Sequence, residues 1–236
     1  DEPRVKVAFS DDGGINFGKA WVVDEKNPLG RVDIFMLDEN KALLSWMRLN
    51  QKDAELRLAL IDKREGILIS ILVDRQDNQV GLMEKLEAHE KAVLHRAFSV
   101  FIFNKRGELL LQQRAHHKYH SPGLWTNTCC SHQREGETNL QAGKRRLIEE
   151  MGMECELEDL FWFIYKAQFD NGLTEHELDH VLVGNSDDDP SINPQEVADF
   201  KWMSLEEVKE DMKSHPEIYT EWFKIIFREY DQRLVK

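Results

Sequence analysis

The sequence predicts an α+β protein: a mixed sheet packed with helices, preceded by a short all-β segment. Three observations carry this. Residues 5–64 are apolar stretches cut by turn signals, with no helical periodicity. Beyond residue 67, strand-like runs alternate with helices that carry their own caps. The chain is 236 residues long and 41% hydrophobic, enough for a real core and for one or two domains. Two are expected, 1–64 and 67–236.

In the first segment VKVAFS, VDIFML, ALLSWMRLN and ELRLALID read as strands separated by DDGG, NPLG and DEN. They could form one antiparallel sheet, which would need cover on its apolar face. The pattern resets near 63–66. Residues 67–73 are a strand, 74–78 a polar turn, and 97–103 a strand too apolar on both faces to meet water. Asn104-Lys105-Arg106-Gly107 is a hairpin turn, and 108–114 returns. The first good helix is 139–151. Thr138 and Gln141 have capping-box spacing, Leu140, Leu147 and Met151 form an apolar stripe, Gly152 stops it, and Arg145, Arg146, Glu149 and Glu150 crowd the other face. Strands follow at 161–169, 178–183 and 199–203. Ser204 with Glu207 opens a helix to about 212, and Ser214-Pro216-Glu217 opens a last one to about 233.

Lys plus Arg number 31 against 44 Asp plus Glu, a net charge of −13, which argues against a nucleic-acid partner. An average charge does not exclude a small basic pocket. The three cysteines, Cys129, Cys130 and Cys155, make no CxxC pair, and their odd count suits a reducing, cytoplasmic compartment. No apolar run approaches the ~18 residues of a membrane span. The opening DEPRVKV is not a signal peptide.

Three places concentrate chemistry: His89 to His95, Cys129-Cys130-Ser131-His132, and Glu175-His176-Glu177. Imidazoles with carboxylates suit Zn²⁺, Mn²⁺ or Mg²⁺, or they are surface histidines among acidic turn residues. On an extended strand Glu175 and Glu177 share a face and repel unless a cation or proton separates them. If their segment is extended, Cys129 and Cys130 point opposite ways, so at most one enters a given pocket. Arg114, Lys118, Arg145 and Arg146 are basic islands suited to phosphate, or ordinary solubilising charge.

The ordered set VLHRAFSVFIFN, LLLQQRA, SPGLWTNTCCSH, GETNLQAGKRRLIEEMG and TEHELDH resembles type 1 isopentenyl-diphosphate Δ-isomerases over residues 67–236. That family has a modified Nudix fold. Against the Nudix hydrolase box, Glu137, Arg145, Leu147, Glu149, Glu150 and Gly152 fit. Ser131 replaces the first glycine and Arg146 replaces a glutamate, which weighs against hydrolysis and suits holding a diphosphate. The resemblance implies Cys130 and Glu177 as catalytic residues with Tyr165 in support. It implies His89, His95, His132, Glu175 and Glu177 around one divalent ion, and Glu150 on a second, Mg²⁺, bridging to diphosphate. Lys85, Arg114, Lys118 and Arg146 match the diphosphate binders, and Trp125 and Trp222 the aromatic wall.

The implied reaction moves a double bond by one carbon, from isopentenyl to dimethylallyl diphosphate. A proton is added to the terminal alkene carbon and another leaves the carbon next to the diphosphate-bearing one. Positive charge develops at a tertiary carbon, where an aromatic face and a dry pocket stabilise it. Cys130 and Glu177 would share the two proton roles, in an order the residues leave open. The partner is a small isoprenyl diphosphate, and the chain a monomer or weak homodimer. Ser10-Asp11-Asp12-Gly13-Gly14-Ile15-Asn16-Phe17 fits the Asp-box, so residues 1–64 resemble one blade of a sialidase-like propeller, as a fusion or accessory sheet. One blade cannot close a propeller. Two rival functions remain: a Nudix-type diphosphate hydrolase, and a non-catalytic carbohydrate- or protein-binding module.

Overall fold

The computed structural model describes residues 4–10, 20–24, 28–37, 41–50, 53–62, 66–118, 121–169 and 172–234. The chain falls into two compact units, Asp1–Ile69 with Leu82–Lys91, and Ser70–Gly81 with Ala92–Lys236. The division is not one cut near residue 64, because residues 82–91 return to the first unit.

In the first unit β1 (Val5–Val7) pairs antiparallel with β2 (Trp21–Asp24). A separate sheet runs in sequence order through β3 (Pro28–Met36), β4 (Lys41–Asn50), β5 (Asp53–Asp62) and β6 (Gly66–Ile67). The expected single four-stranded sheet is corrected: β1 joins β2 rather than the later strands. The cover such a sheet needs explains this, since Val5 and Val7 share a core with Leu44, Trp46 and Ile61. The Trp46 indole donates to buried Asp24 at 2.7 Å. A helix that the sequence did not reveal, α1 (Lys85–Glu90), also belongs here. Six residues are too few to show a period. It forms because Glu84 caps it, accepting from the amides of Glu87 and Leu60, while Arg57 forks onto Glu87. Asp11 to Phe17 of the Asp-box motif lie outside the described residues.

The second unit is built on a nine-stranded sheet. Its strands are β7 (Ile69–Val73), β8 (Gln79–Glu84), β9 (His95–Phe103), β10 (Glu108–Arg114), β11 (Trp125–Thr126), β12 (Cys129–Ser131), β13 (Leu157–Gln168), β14 (Thr174–Asn185) and β15 (Val197–Ser204). The single strand expected at 67–73 is two, broken at Leu68 between the sheets of β6 and β7. The central order is β11-β10-β9-β14-β13, with β12 on β9 and β15 on β10. β9 runs parallel to β14 and is buried on both faces, which is why its sequence is continuously apolar.

Helix α2 (Asn139–Met151) packs Ala142, Leu147 and Met151 against Phe98, Val100 and Ile102. Both halves of its capping box form, and Gly152 closes it at φ 61°. Leu140, expected in the apolar stripe, is exposed, whereas Arg146 and Glu150 of the charged face are buried. The helix thus buries two ionic groups along with its apolar side. On the sheet's other face α4 (Glu221–Tyr230) sets Trp222, Phe223, Ile226 and Phe227 against Phe101, Phe161 and Phe163. Helix α3 (Leu205–Ser214) starts from the Ser204–Glu207 capping box. The last helix is not continuous from 214. Pro216–Ile218 is a 3-10 turn, and Tyr219 bridges to Trp125, whose carbonyl accepts the Thr220 amide. That strand-like contact pulls 219–220 out of the helix, and α4 begins after it.

Candidate active site

Register places the key groups. Tyr165 on β13 pairs with Glu177 on β14, and Glu177 with His95 on β9, so three strands set three side chains in one rung. Cys130 on β12 pairs with Ser99 of β9. His95 and Ser99 are four residues apart on one strand, so Cys130 shares the rung's face. It packs against the cluster holding Tyr165, Trp125 and Trp222, whereas Cys129 is fully buried in the α2 cluster on the opposite face.

At the centre Glu177 Oε1 lies 3.1 Å from His132 Nε2 and 3.4 Å from His95 Nε2. These ligand atoms all lie within 4.8 Å of one another. His95 Nδ1 is 2.8 Å from the Val93 carbonyl. That contact turns Nε2 toward the centre, the ring orientation of metal-bound imidazoles. Two imidazole nitrogens and a carboxylate oxygen thus fit a divalent ion such as Zn²⁺ or Mn²⁺. Tyr165 donates to Glu177 Oε2 at 2.7 Å and to Glu175 Oε2 at 3.0 Å, so Glu175 reaches the centre through the phenol. His89 is buried on α1 in the first unit.

Environment sets the protonation states. Burial pushes the Cys130 thiol up to about 12, with Arg114 opposing and Glu150, Asp179 and Glu175 adding, so it rests protonated. Burial also acts to raise Glu177, but the hydrogen bonds and charges of His132 and His95 overcome it and hold the carboxyl well below its ordinary range. Burial, with Glu175 and Glu177, keeps Tyr165 a phenol.

The basic residues divide. Lys118 donates to buried Glu196, and Arg146 bonds Glu149 at 2.9 Å and Glu150 at 2.5 Å and stands 3.5 Å from Glu196. Arg114 donates to the Ser121 carbonyl, and its guanidinium lies 5.4 Å from the Trp222 ring centre. The Trp222 indole donates to Asn127. Trp125 is covered by Lys201 at 4.3 Å. Lys85 opens α1, in the first unit. Arg145 forks onto Glu137 at 2.7 and 2.8 Å and reaches the His132 carbonyl at 3.5 Å, tying the His132 segment to α2. Gln112 donates to Glu150, and its buried Oε1 finds no hydrogen-bond partner. With Glu150 it offers oxygen donors of the kind Mg²⁺ takes.

Sequence reasoning missed two buried acids of the second unit. Asp179, accepting from Ser99 at 2.8 Å, continues the alternation of Glu175 and Glu177, and that parity could have found it. Glu196 carries no local signal; only tertiary structure buries it.

A NUDIX domain model matches residues 93–223. The chain is 55% identical over 157 residues to "Isopentenyl-diphosphate Delta-isomerase" of Pectobacterium atrosepticum, covering 66% of this chain and 88% of that protein. It is 51% identical over 152 residues to "Isopentenyl-diphosphate Delta-isomerase 2" of Aromatoleum aromaticum, covering 64% and 80%. Among solved structures, DR0079 of Deinococcus radiodurans superposes with TM-score 0.56 at 20% identity, over 69% of this chain and 99% of that one. That likeness speaks for the fold alone. None of this supports the propeller-blade likeness of residues 1–64. The NUDIX match over residues 93–223 and the extent of identity to these relatives lead to one assignment: the chain belongs to the isopentenyl-diphosphate Δ-isomerase family.

Proposed function

We infer that the protein interconverts isopentenyl and dimethylallyl diphosphate, the activity for which its relatives are named. The observation that carries the reading is the buried rung Tyr165–Glu177–His95 with the Cys130 thiol on the same face of the sheet. Cys130 carries a proton and Glu177 an ionised carboxylate able to accept one, the pair that addition at one carbon and removal at another require. Tyr165 holds Glu177 in place and can relay a proton to it. The Trp222 ring offers a π-face for the positive charge that develops at the tertiary carbon. Burial keeps water from trapping that charge.

His95, His132 and Glu177 would hold the tightly bound ion, with Glu175 beside them and His89 assigned to the same set by family likeness. Bound there, the ion would fix the Glu177 carboxylate and lower its proton affinity. Glu150 would take Mg²⁺ with the diphosphate, which Arg114, Lys118 and Arg146 orient. The Cys130 thiol must stay reduced, so a cytoplasmic setting belongs to this reading. Among the described residues no helix is long and apolar enough to cross a membrane.

Hydrolysis fits less well. Arg146 stands where hydrolases carry a glutamate and ties up the Glu149–Glu150 pair. The test is conversion of isopentenyl diphosphate by the Mg²⁺-supplied protein. Wild type should form dimethylallyl diphosphate without phosphate release. Cys130→Ala should abolish turnover yet still bind inorganic diphosphate; near-wild-type turnover in that variant would reject the assignment.

A further inference from the structure

We propose that Glu196 is a positioning residue of the diphosphate subsite that makes capture of diphosphate conditional on a divalent cation. The proposal rests on the isomerase reading above.

Glu196 is 2% exposed and its backbone is pinned on both sides. Its amide donates to the Asn193 carbonyl at 2.9 Å, and its carbonyl accepts the Ala115 amide at 3.0 Å. The backbone is thereby held beside the residue that follows β10, and the side chain reaches Lys118 and, on α2, Arg146. One carboxylate oxygen, Oε2, takes the Lys118 ammonium and lies 3.5 Å from Arg146. The Lys118 and Arg146 side chains are themselves only 13% and 9% exposed. Arg146 also bonds Glu149 and Glu150. Two cations placed to meet diphosphate are thus already matched by two buried carboxylates, Glu196 and Glu150.

The consequence is electrostatic. A phosphate oxygen that draws Lys118 or Arg146 away removes one of the two cations beside buried Glu196, in surroundings where charges are weakly screened. A divalent cation arriving with the diphosphate removes that cost. Glu196 therefore holds the two cations in register and also withholds them from a bare polyanion.

The experiment measures the affinity of the full chain for inorganic diphosphate, once in saturating Mg²⁺ and once in EDTA, and takes the ratio. Glu196→Gln keeps the shape and a hydrogen-bond acceptor but removes the charge. It should bind metal-free diphosphate at least about tenfold more tightly than wild type, so the ratio falls. Glu196→Asp should keep the wild-type ratio. Lys118→Gln makes the cluster more negative and should raise the ratio, which supplies a second reading should Glu196→Gln fail to fold. A merely structural glutamate would weaken both affinities alike and leave the ratio unmoved. An unchanged ratio in Glu196→Gln, or one at or below wild type in Lys118→Gln, overturns the proposal. Turnover of isopentenyl diphosphate by the wild type is measured separately, so failure of the isomerase reading shows there.

Discussion

Replacing Tyr165 with Phe isolates one hydroxyl in the buried rung. The ring keeps its packing, including the stacking on Phe163 at 5.7 Å. What is lost is a donor shared by Glu177 at 2.7 Å and Glu175 at 3.0 Å, with the tyrosine and both carboxylates at most 6% exposed. A hydrogen bond to a charged group contributes about 1.5–3 kcal/mol. If it is made fully only as the proton moves, kcat should fall roughly ten- to a hundredfold, with KM little changed. The bond also favours the ionised carboxylate, so its loss raises the proton affinity of Glu177. The acid limb of the kcat–pH profile should then move to higher pH. Two facing carboxylates without their donor should also unfold more readily, and more so after chelation removes any compensating cation. Dimethylallyl diphosphate formation followed across pH, together with thermal melts with and without EDTA, measures all three effects. A kcat within about twofold of wild type and an unmoved acid limb would refute the role given to Tyr165.

Other outcomes follow from single contacts. Gly152→Ala would put a Cβ 2.5 Å from the Ser191 carbonyl oxygen at φ 61°, and should lower stability by about 2 kcal/mol in urea titration. His95→Asn and His132→Asn should each lower the bound divalent metal from about one ion per chain, read by elemental analysis of the purified protein. Burial acts to raise Asp159, but hydrogen bonds from His180 and Asn139 outweigh it and lower its folded value below the unfolded ~3.9. The stability it contributes is present above that unfolded value and is lost as pH falls through the folded one. Asp159→Asn should therefore flatten the stability profile below about pH 4, compared by denaturant titration at several acid pH values.

Local chemistry was legible in the residues, and long-range pairing was not. Both capping boxes could be read because each is a four-residue device, and both form. The opposite aim of Cys129 and Cys130 follows from strand parity alone, and the two fall in different clusters. The rung of Tyr165, Glu177 and His95 could not be read, because register between distant strands depends on how whole faces pack. Only family likeness gathered those residues in advance. Helix α1 escaped because its cap is a carboxylate that also serves Leu60, a tertiary arrangement. The break before α4 escaped because its cause, Trp125, lies far away in the chain.

The paired sulfurs also show how finely this enzyme must be threaded. Strand β12 is only three residues long, and sliding it by one would set Cys129 in the place of Cys130 with no change in composition. Asn127 and Thr128 act as latches against that slip. The Asn127 amide holds the carbonyls of Val100 and Cys129, and the Thr128 hydroxyl holds Leu110 while accepting the Ile102 amide. Loosening either latch would let Cys129 take the face that Cys130 now occupies without altering a single residue of the rung itself.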